Sequence, residues 1–463
     1  MIAFFTVFVT CSVPLRTVAQ DPLELRSEGT AEIVRRLEGR LDNLERENQE
    51  IRAENARLLD TLESSESEFL QATSPAAMTY LPGEGATISM LNSTSQLTIG
   101  ARLSALSIFS TKRPVSPGLP LFLNPASPTG QDTNTFDLHA RQSVLYGQFT
   151  GPEVCGLTPG GALLTLFYND NLTSDNYGML LYYAYGELKN DRVRFAAGLQ
   201  KDIFNPVGPT ILPFSLLYGS GNAGSYRGQI RFERYVRSAE DCQWTFQVGL
   251  SEPIATLVRD QAIDPLIEDN GWPNIEGRLA IELGATQAFM GGRKQRPFEL
   301  GVSAVVGQIR TTQRGIITPA PERAVQDIWG LGCDLQWVLT DRFGVKAEVF
   351  AGQALGEYNA GVLQNFNSLS FIPIRTQGGY TEIYYYLHPQ LHLHCGYGID
   401  DPVNDDLSPG QIACNQTCFN TLMYDFSKTV QIGFEVDYRK TNYTSPLLDS
   451  DAVLFMTQFL WRF

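Results

Sequence analysis

Two hydrophobic periods divide the chain. Between residues 30 and 64 the pattern is heptad: Val34, Leu41, Asn48, Asn55 and Leu62 fall on one core position, and Leu37, Leu44, Ile51 and Leu58 on the other. Arg40 with Glu45, and Glu47 with Arg52, set opposite charges at the spacing that holds neighbouring helices in register. A lone amphipathic helix on a core would not bury Asn48 and Asn55, whereas a coiled-coil seam uses such residues to fix alignment. The segment predicts a short α-helical, parallel coiled coil, and with it an oligomer. Residues 65–95, rich in Ser, Thr and Pro, read as a linker.

From about residue 96 the period falls to two. "WTFQVGLS" carries Trp244, Phe246, Val248 and Leu250 on one face; "VQIGFEVDY" carries Val430, Ile432, Phe434, Val436 and Tyr438. The opposite faces offer Arg194, Gln247, Glu276, Lys346, Glu435 and Asp437. A soluble sandwich alternates as well, so the connections decide. Tight links at 189–191, 340–342, 388–389 and 427–428 alternate with long ones at about 111–135, 202–224, 252–274, 311–325, 355–374 and 400–417. Short turns on one rim and long loops on the other mark a transmembrane barrel of the outer-membrane kind. Counting under that constraint predicts an all-β fold, an antiparallel barrel of about sixteen strands over 96–463, with both ends on the periplasmic rim. One closed sheet of this kind absorbs the 463 residues that would otherwise suggest several domains.

The last strand, "DAVLFMTQFLWRF", has Phe455, Phe459, Trp461 and Phe463 on one face. This ending resembles the C-terminal signal of bacterial outer-membrane proteins, which the barrel-assembly machinery reads. The resemblance implies that the four rings face outer-membrane lipid and serve assembly. At the other end, residues 1–19 form an apolar run followed by the small-residue site Thr17-Val18-Ala19, the pattern of a secretory signal peptide. The coiled coil would then lie in the periplasm, within reach of the cell wall. A net charge of -15 argues against nucleic acid as a partner. Of the cysteines past the signal, Cys414 and Cys418 bracket "CNQTC", which reads as a loop that a disulfide can clip, and Cys155 with Cys242 is a second candidate pair.

Within residues 136–235, "FDLHARQSVLYGQF", "LLYYAYGEL", "RFAAGLQKDIFNPVGP" and "GSYRGQIRFERY" resemble, in order, the DcaP-like trimeric porins. That resemblance implies a periplasmic coiled coil before a sixteen-stranded barrel, a homotrimer, and passive diffusion of small hydrophilic solutes, with a leaning toward anions such as small organic acids. In trimeric porins the third long-rim loop folds into the barrel; here it spans 202–224 and holds Phe204 and Phe214, which would be costly to leave in water. Around it stand Arg141, Arg192, Arg194, Lys201, Arg227 and Arg231, the candidate lining of an anion-favouring constriction. The plainer reading is that each arginine is a lumen charge paired with Glu187, Glu233 or Glu276.

His388, His392 and His394 read as one strand face, and as lumen-facing polar residues rather than a metal site, since no convincing third ligand joins them. With His139 they are the chain's imidazoles, and no GxSxG occurs, so an enzyme is not expected and no cofactor is called for. The rival function is structural: a plugged barrel tethering the outer membrane to the cell wall through its coiled coil.

Overall fold

Sixteen antiparallel strands run from Ser95 to Arg462 and close on themselves. The computed structural model describes residues 77–463 apart from 82–83, 91–93, 128–131, 168–177, 255–266, 270, 293, 312–324 and 368, together with Gly39, Leu41, Arg46 and Gln49. The signal segment and the coiled coil expected at 30–64 lie outside the described residues, save for those four, which are helical. The chain divides into two units, 1–74 and 75–463, and the second is the barrel.

In chain order β1 is Ser95–Ser110, and β2 has two pieces, Thr135–His139 and Val144–Thr150. Then come β3 Thr158–Leu166, β4 Leu180–Lys189, β5 Val193–Lys201, β6 Tyr226–Ala239 and β7 Cys242–Ser251. Strand β8 again has two pieces, Ile267–Asp269 and Asn274–Leu283, both paired with β9, Phe298–Thr311. The rest are β10 Val325–Val338, β11 Phe343–Gln353, β12 Arg375–His388, β13 Leu391–Pro402, β14 Ile412–Asp425, β15 Val430–Tyr443 and β16 Ser450–Arg462. Closure is made by β16 on β1, in a register that sets Phe455 opposite Phe109 and Arg462 opposite Arg102. The backbones of Phe463 and Ala101 exchange hydrogen bonds of 2.8 and 3.1 Å, so the final residue is part of the ladder.

Three expectations are corrected. Residues 77–90 are not linker: Ala77–Leu81 and Gly85–Met90 form a hairpin whose second strand pairs with β1 through Ala86 and Ile99. The connection placed at 400–417 is shorter, 403–411, because alternation resumes at Ile412. Cys414 and Cys418 therefore sit four residues apart in β14, about 13 Å at the rise of a strand, too far for a disulfide. The described cysteines, including Cys155 and Cys242, are all unpaired.

Side chains obey the two-residue period. Phe136, Leu138, Phe195, Ile230, Leu331 and Val349 are among the large apolar residues exposed on the outside, and Phe455, Phe459, Trp461 and Phe463 join them. The inward face is buried and mostly polar, with Glu276, Asp334, Lys346, Glu348, Glu382 and Asp437 within it, and it carries an apolar patch of Leu106, Ile108, Met423, Leu454 and Met456 against Leu123 and Leu212. An exposed apolar exterior around a charged interior inverts the soluble pattern and fits a lipid surround. The wall is uneven: β16 has 13 residues and β3 has 9, which at a tilt of about 40° give heights of roughly 33 and 23 Å.

The long-rim connections between the strands are L1 (111–134), L2 (167–179), L3 (202–225), L4 (252–266), L5 (312–324), L6 (354–374), L7 (403–411) and L8 (444–449). Among the described residues, L1, L3 and L6 pack inside the barrel. Leu119, Phe122, Tyr218, Val362 and Leu363 share one buried cluster with wall residues, and Phe204, Ala223, Leu355, Tyr358 and Phe366 belong to a second.

Replacing Phe463 by Asp removes an outward ring at the closing seam, a loss of about 2 kcal/mol of apolar transfer plus the cost of a carboxylate near lipid. The expected outcome is a several-fold smaller fraction of folded barrel, read from the heat-modifiable band on unheated gels. Wild-type levels would show that the terminal ring contributes nothing to assembly.

Candidate functional site

The inserted loop poses a backbone problem. L3 crosses the lumen with its amides turned away from solvent, and each buried N–H left without an acceptor costs about 1–3 kcal/mol. Wall carboxylates supply the acceptors. Glu276 on β8 accepts from the amides of Ile203 (2.7 Å) and Phe204 (3.3 Å). Glu382 on β12 accepts from Thr210, and Glu435 on β15 from Leu212, each at 2.7 Å. L6 is held the same way, with Asp400 on β13 accepting from Gly361 (3.1 Å) and Val362 (2.9 Å).

Guanidinium groups serve the carbonyls. Arg227 donates to the carbonyl oxygens of Glu252 and Pro253, each at 3.0 Å, and of Glu357 at 2.6 Å, and it makes a two-pronged pair with Asp202. Its guanidinium also lies 3.9 Å from the centre of the Tyr358 ring. Arg439 on β15 donates to the carbonyl of Pro120 in L1 while paired with Asp437.

L3 also meets the wall at very short range. A Cβ on Gly221 would lie 2.1 Å from the carbonyl oxygen of Gly379, and one on Gly398 would lie 2.1 Å from that of Ser220. Only glycines allow this approach. Nearby, Leu216 and Leu217 both take positive φ, 46° and 60°, a cost of order 1–3 kcal/mol each that the full burial of Leu217 helps to offset.

Beneath L3 lies an open chamber of about 1070 Å³. Its roof is Thr210–Phe214 with Leu216, and its floor includes the short-rim turn residues Gly291, Gly292, Pro389, Gln390, Ser427 and Lys428. Tyr182, Tyr183, Phe214 and Tyr226 give it an aromatic side. Arg102, Lys428 and Arg462 are its basic residues, Glu84 and Asp425 its acids, and His392 and His394 also line it.

The expected constriction residues take several places. Arg194 faces inward but is engaged by Glu187 (2.6 Å) and Glu233 (2.8 Å), and Arg231 pairs with the same Glu233 at 3.1 Å. Arg141 is buried against Asp137 at 3.1 Å, and Lys201 donates to the carbonyl of Pro206 at 2.6 Å. Arg227 and Phe204 are sealed from the lumen water, which corrects their expected lining role; their place is between loop and wall. Arg192 is corrected likewise, lying exposed in a short-rim turn. Phe214 lines the chamber. His388 is set apart from the other two histidines by a register shift at the end of β12 and is exposed, so it does not share their face.

Sequence reading missed Arg102 and Arg462 as a pair. Each stands on the lumen-facing side of its strand, but in β16 that side also carries the buried Leu454, Met456 and Leu460, so the alternation does not mark it as polar. Their juxtaposition depends on the first and last strands meeting, and a local pattern does not carry that. Like charges directly opposite on a ladder are unfavourable, and Asp425, 3.7 Å from Arg462, offsets part of this.

No family model and no curated protein matches the sequence. Solved structures do. The outer membrane channel DcaP of Acinetobacter baumannii superposes with a TM-score of 0.59 at 13% identity, over 83% of this chain and 100% of that one. OmpF of Salmonella typhi in complex with daunomycin (TM-score 0.49, 12% identity, 81% and 99% covered) and outer-membrane-expressed OmpT of Vibrio cholerae (0.47, 10%, 80% and 98%) also align. The chain thus has the barrel fold of the outer-membrane channel DcaP.

Glu276→Ala strips the acceptor from two L3 amides. Hydrogen exchange at Ile203 and Phe204 should quicken by roughly 30- to 100-fold, matching about 2–3 kcal/mol of lost local stability, with strand amides unchanged. Equal exchange in both proteins would show that the carboxylate does not hold the loop.

Proposed function

We propose that this protein is an outer-membrane porin that lets small hydrophilic solutes diffuse passively, with a leaning toward anions. The observation that carries the reading is the water-accessible chamber under L3, enclosed by a barrel whose exterior is apolar. The leaning toward anions rests on the chamber rather than on the arginines beside L3. There Arg194, Arg227 and Arg231 are balanced by Glu187, Glu233 and Asp202, whereas Arg102, Lys428 and Arg462 face open space against Glu84 and Asp425. Charges beside a narrow wet passage set selectivity more than distant ones do.

Assembly rests on other residues. The heptads of 30–64 support a periplasmic coiled coil, and the low wall of β3–β5, with Leu163, Leu181, Leu188 and Phe195 outward, supports a homotrimer in which neighbouring barrels cover it. The terminal rings support recognition by the barrel-assembly machinery, and residues 1–19 support export. A second reading, a plugged barrel tethering the membrane to the cell wall, is favoured by the dry packing of L1, L3 and L6 across the upper lumen.

Planar-bilayer recording separates the two. The porin should give discrete conductance steps, and Arg102→Gln with Arg462→Gln should move the reversal potential in a salt gradient toward cations while the channel stays open. A silent bilayer with correctly folded trimers would favour the tether; an unchanged reversal potential would remove the arginine pair from selectivity.

A further inference from the structure

A chain of hydrogen bonds leads from the chamber to the root of the inserted loop. The imidazoles of His392 and His394 on β13 meet at 2.9 Å between Nδ1 and Nε2, with their rings at 83°. His392 Nε2 lies 3.3 Å from Asp425, and His394 Nδ1 lies 2.7 Å from Glu382. The other oxygen of Glu382 accepts the Thr210 amide of L3, and Lys346 both pairs with Glu382 (3.4 Å) and donates to the Thr210 hydroxyl (2.6 Å). Tyr386 and Tyr384 flank the two imidazoles with ring centres at 5.0 and 5.9 Å.

Proton counting defines the state of this chain. Each of the three contacts made by the four ring nitrogens needs one proton: one donated to Glu382, one between the rings, one donated to Asp425. Two neutral imidazoles hold two protons, so the satisfied pair holds one extra proton and one positive charge. A fourth proton sets N–H against N–H across 2.9 Å, and the bridge has to open. The groups around the pair are Lys346 from β11, Glu382, Tyr384 and Tyr386 from β12, Asp425 from β14, Asp341 from the short rim and Thr210 from L3, and the chamber the pair borders also carries Arg102 from β1, Arg462 from β16, Glu84 and Lys428. Both imidazoles border the chamber; His394 stands between Glu382 and Tyr384 and is held by the shorter contact, 2.7 Å, while His392 stands between Asp425 and Tyr386 and is held by the longer one, 3.3 Å, so His392 is the ring that an opened bridge releases.

We propose that the His392–His394 bridge is a proton-operated latch between chamber and inserted loop: acidification opens it and turns His392 into the chamber as a fixed cation. The electrical consequence rests on the porin reading; the latch itself does not. Across about pH 8 to 5, where imidazoles titrate, wild-type reversal potentials should shift toward anions by about threefold in permeability ratio, the size expected of one added charge near the path. His392→Gln and His394→Gln should each flatten the shift, and His388→Gln, an exposed turn residue, should keep it. A wild-type response absent, or equal in all four proteins, overturns the proposal. The second measurement is nitrogen-15 NMR of the imidazoles in the refolded wild-type barrel, which needs no current. Two-step, mutually dependent titration of His392 and His394, against a single step for His388, supports the latch. Independent single steps for all three overturn it, even where conductance is normal, whereas a silent bilayer with coupled titration sinks the porin reading and leaves the latch standing.

Discussion

Everything inside this barrel depends on satisfying the backbone of loops that have left water. A strand wall completes its own ladder and asks nothing of its side chains, but L1, L3 and L6 bring irregular backbone into the lumen. Inward carboxylates at 276, 382, 400 and 435 take the amides, and Arg227 and Arg439 take the carbonyls. The division follows from chemistry, since an ionised carboxylate only accepts and a guanidinium only donates. Once committed in this way, these charges have little field left for a passing solute.

The result is a lumen in two parts. Above, apolar side chains of three loops pack as a globular core would, and Phe204, Tyr358 and Val362 lose all contact with solvent. Below, the loop undersides and the short-rim turns enclose the wet chamber. The same segment of L3 serves both: Thr210–Phe214 hangs from wall carboxylates and forms the chamber roof. Anything that loosens Glu382 or Glu435 is therefore felt on both sides at once.

Much of the barrel was legible because its signals are local. Period-two alternation located the strands, and the contrast between two-residue links and long loops gave sixteen of them and their handed rims. The hairpin at 77–90 escaped because five- and six-residue strands carry too few periods to stand out from a polar stretch. The site was less legible. Alternation placed Arg227 on the inward face, but whether an inward arginine meets water or a carbonyl depends on where three loops fold. Glu252, Pro253 and Glu357, whose carbonyls it takes, lie 25 to 130 positions away. Arg102 and Arg462 were harder still, since they meet only because the sheet closes.

This sorting of charges explains why a chain of net charge -15 can hold a chamber with a basic wall. Acidic residues outnumber basic ones overall, yet a carboxylate on a backbone amide or an arginine is an internal fastening, and at a Debye length of about 8 Å the rest of the excess acid is screened from the chamber. What remains at the water's edge is a handful of groups: Arg102, Lys428 and Arg462 against Glu84 and Asp425, with the histidine bridge between Asp425 and Glu382. Against so small a set, a single proton gained or lost changes the local balance by a large fraction, while leaving the net charge of the whole chain almost as it was.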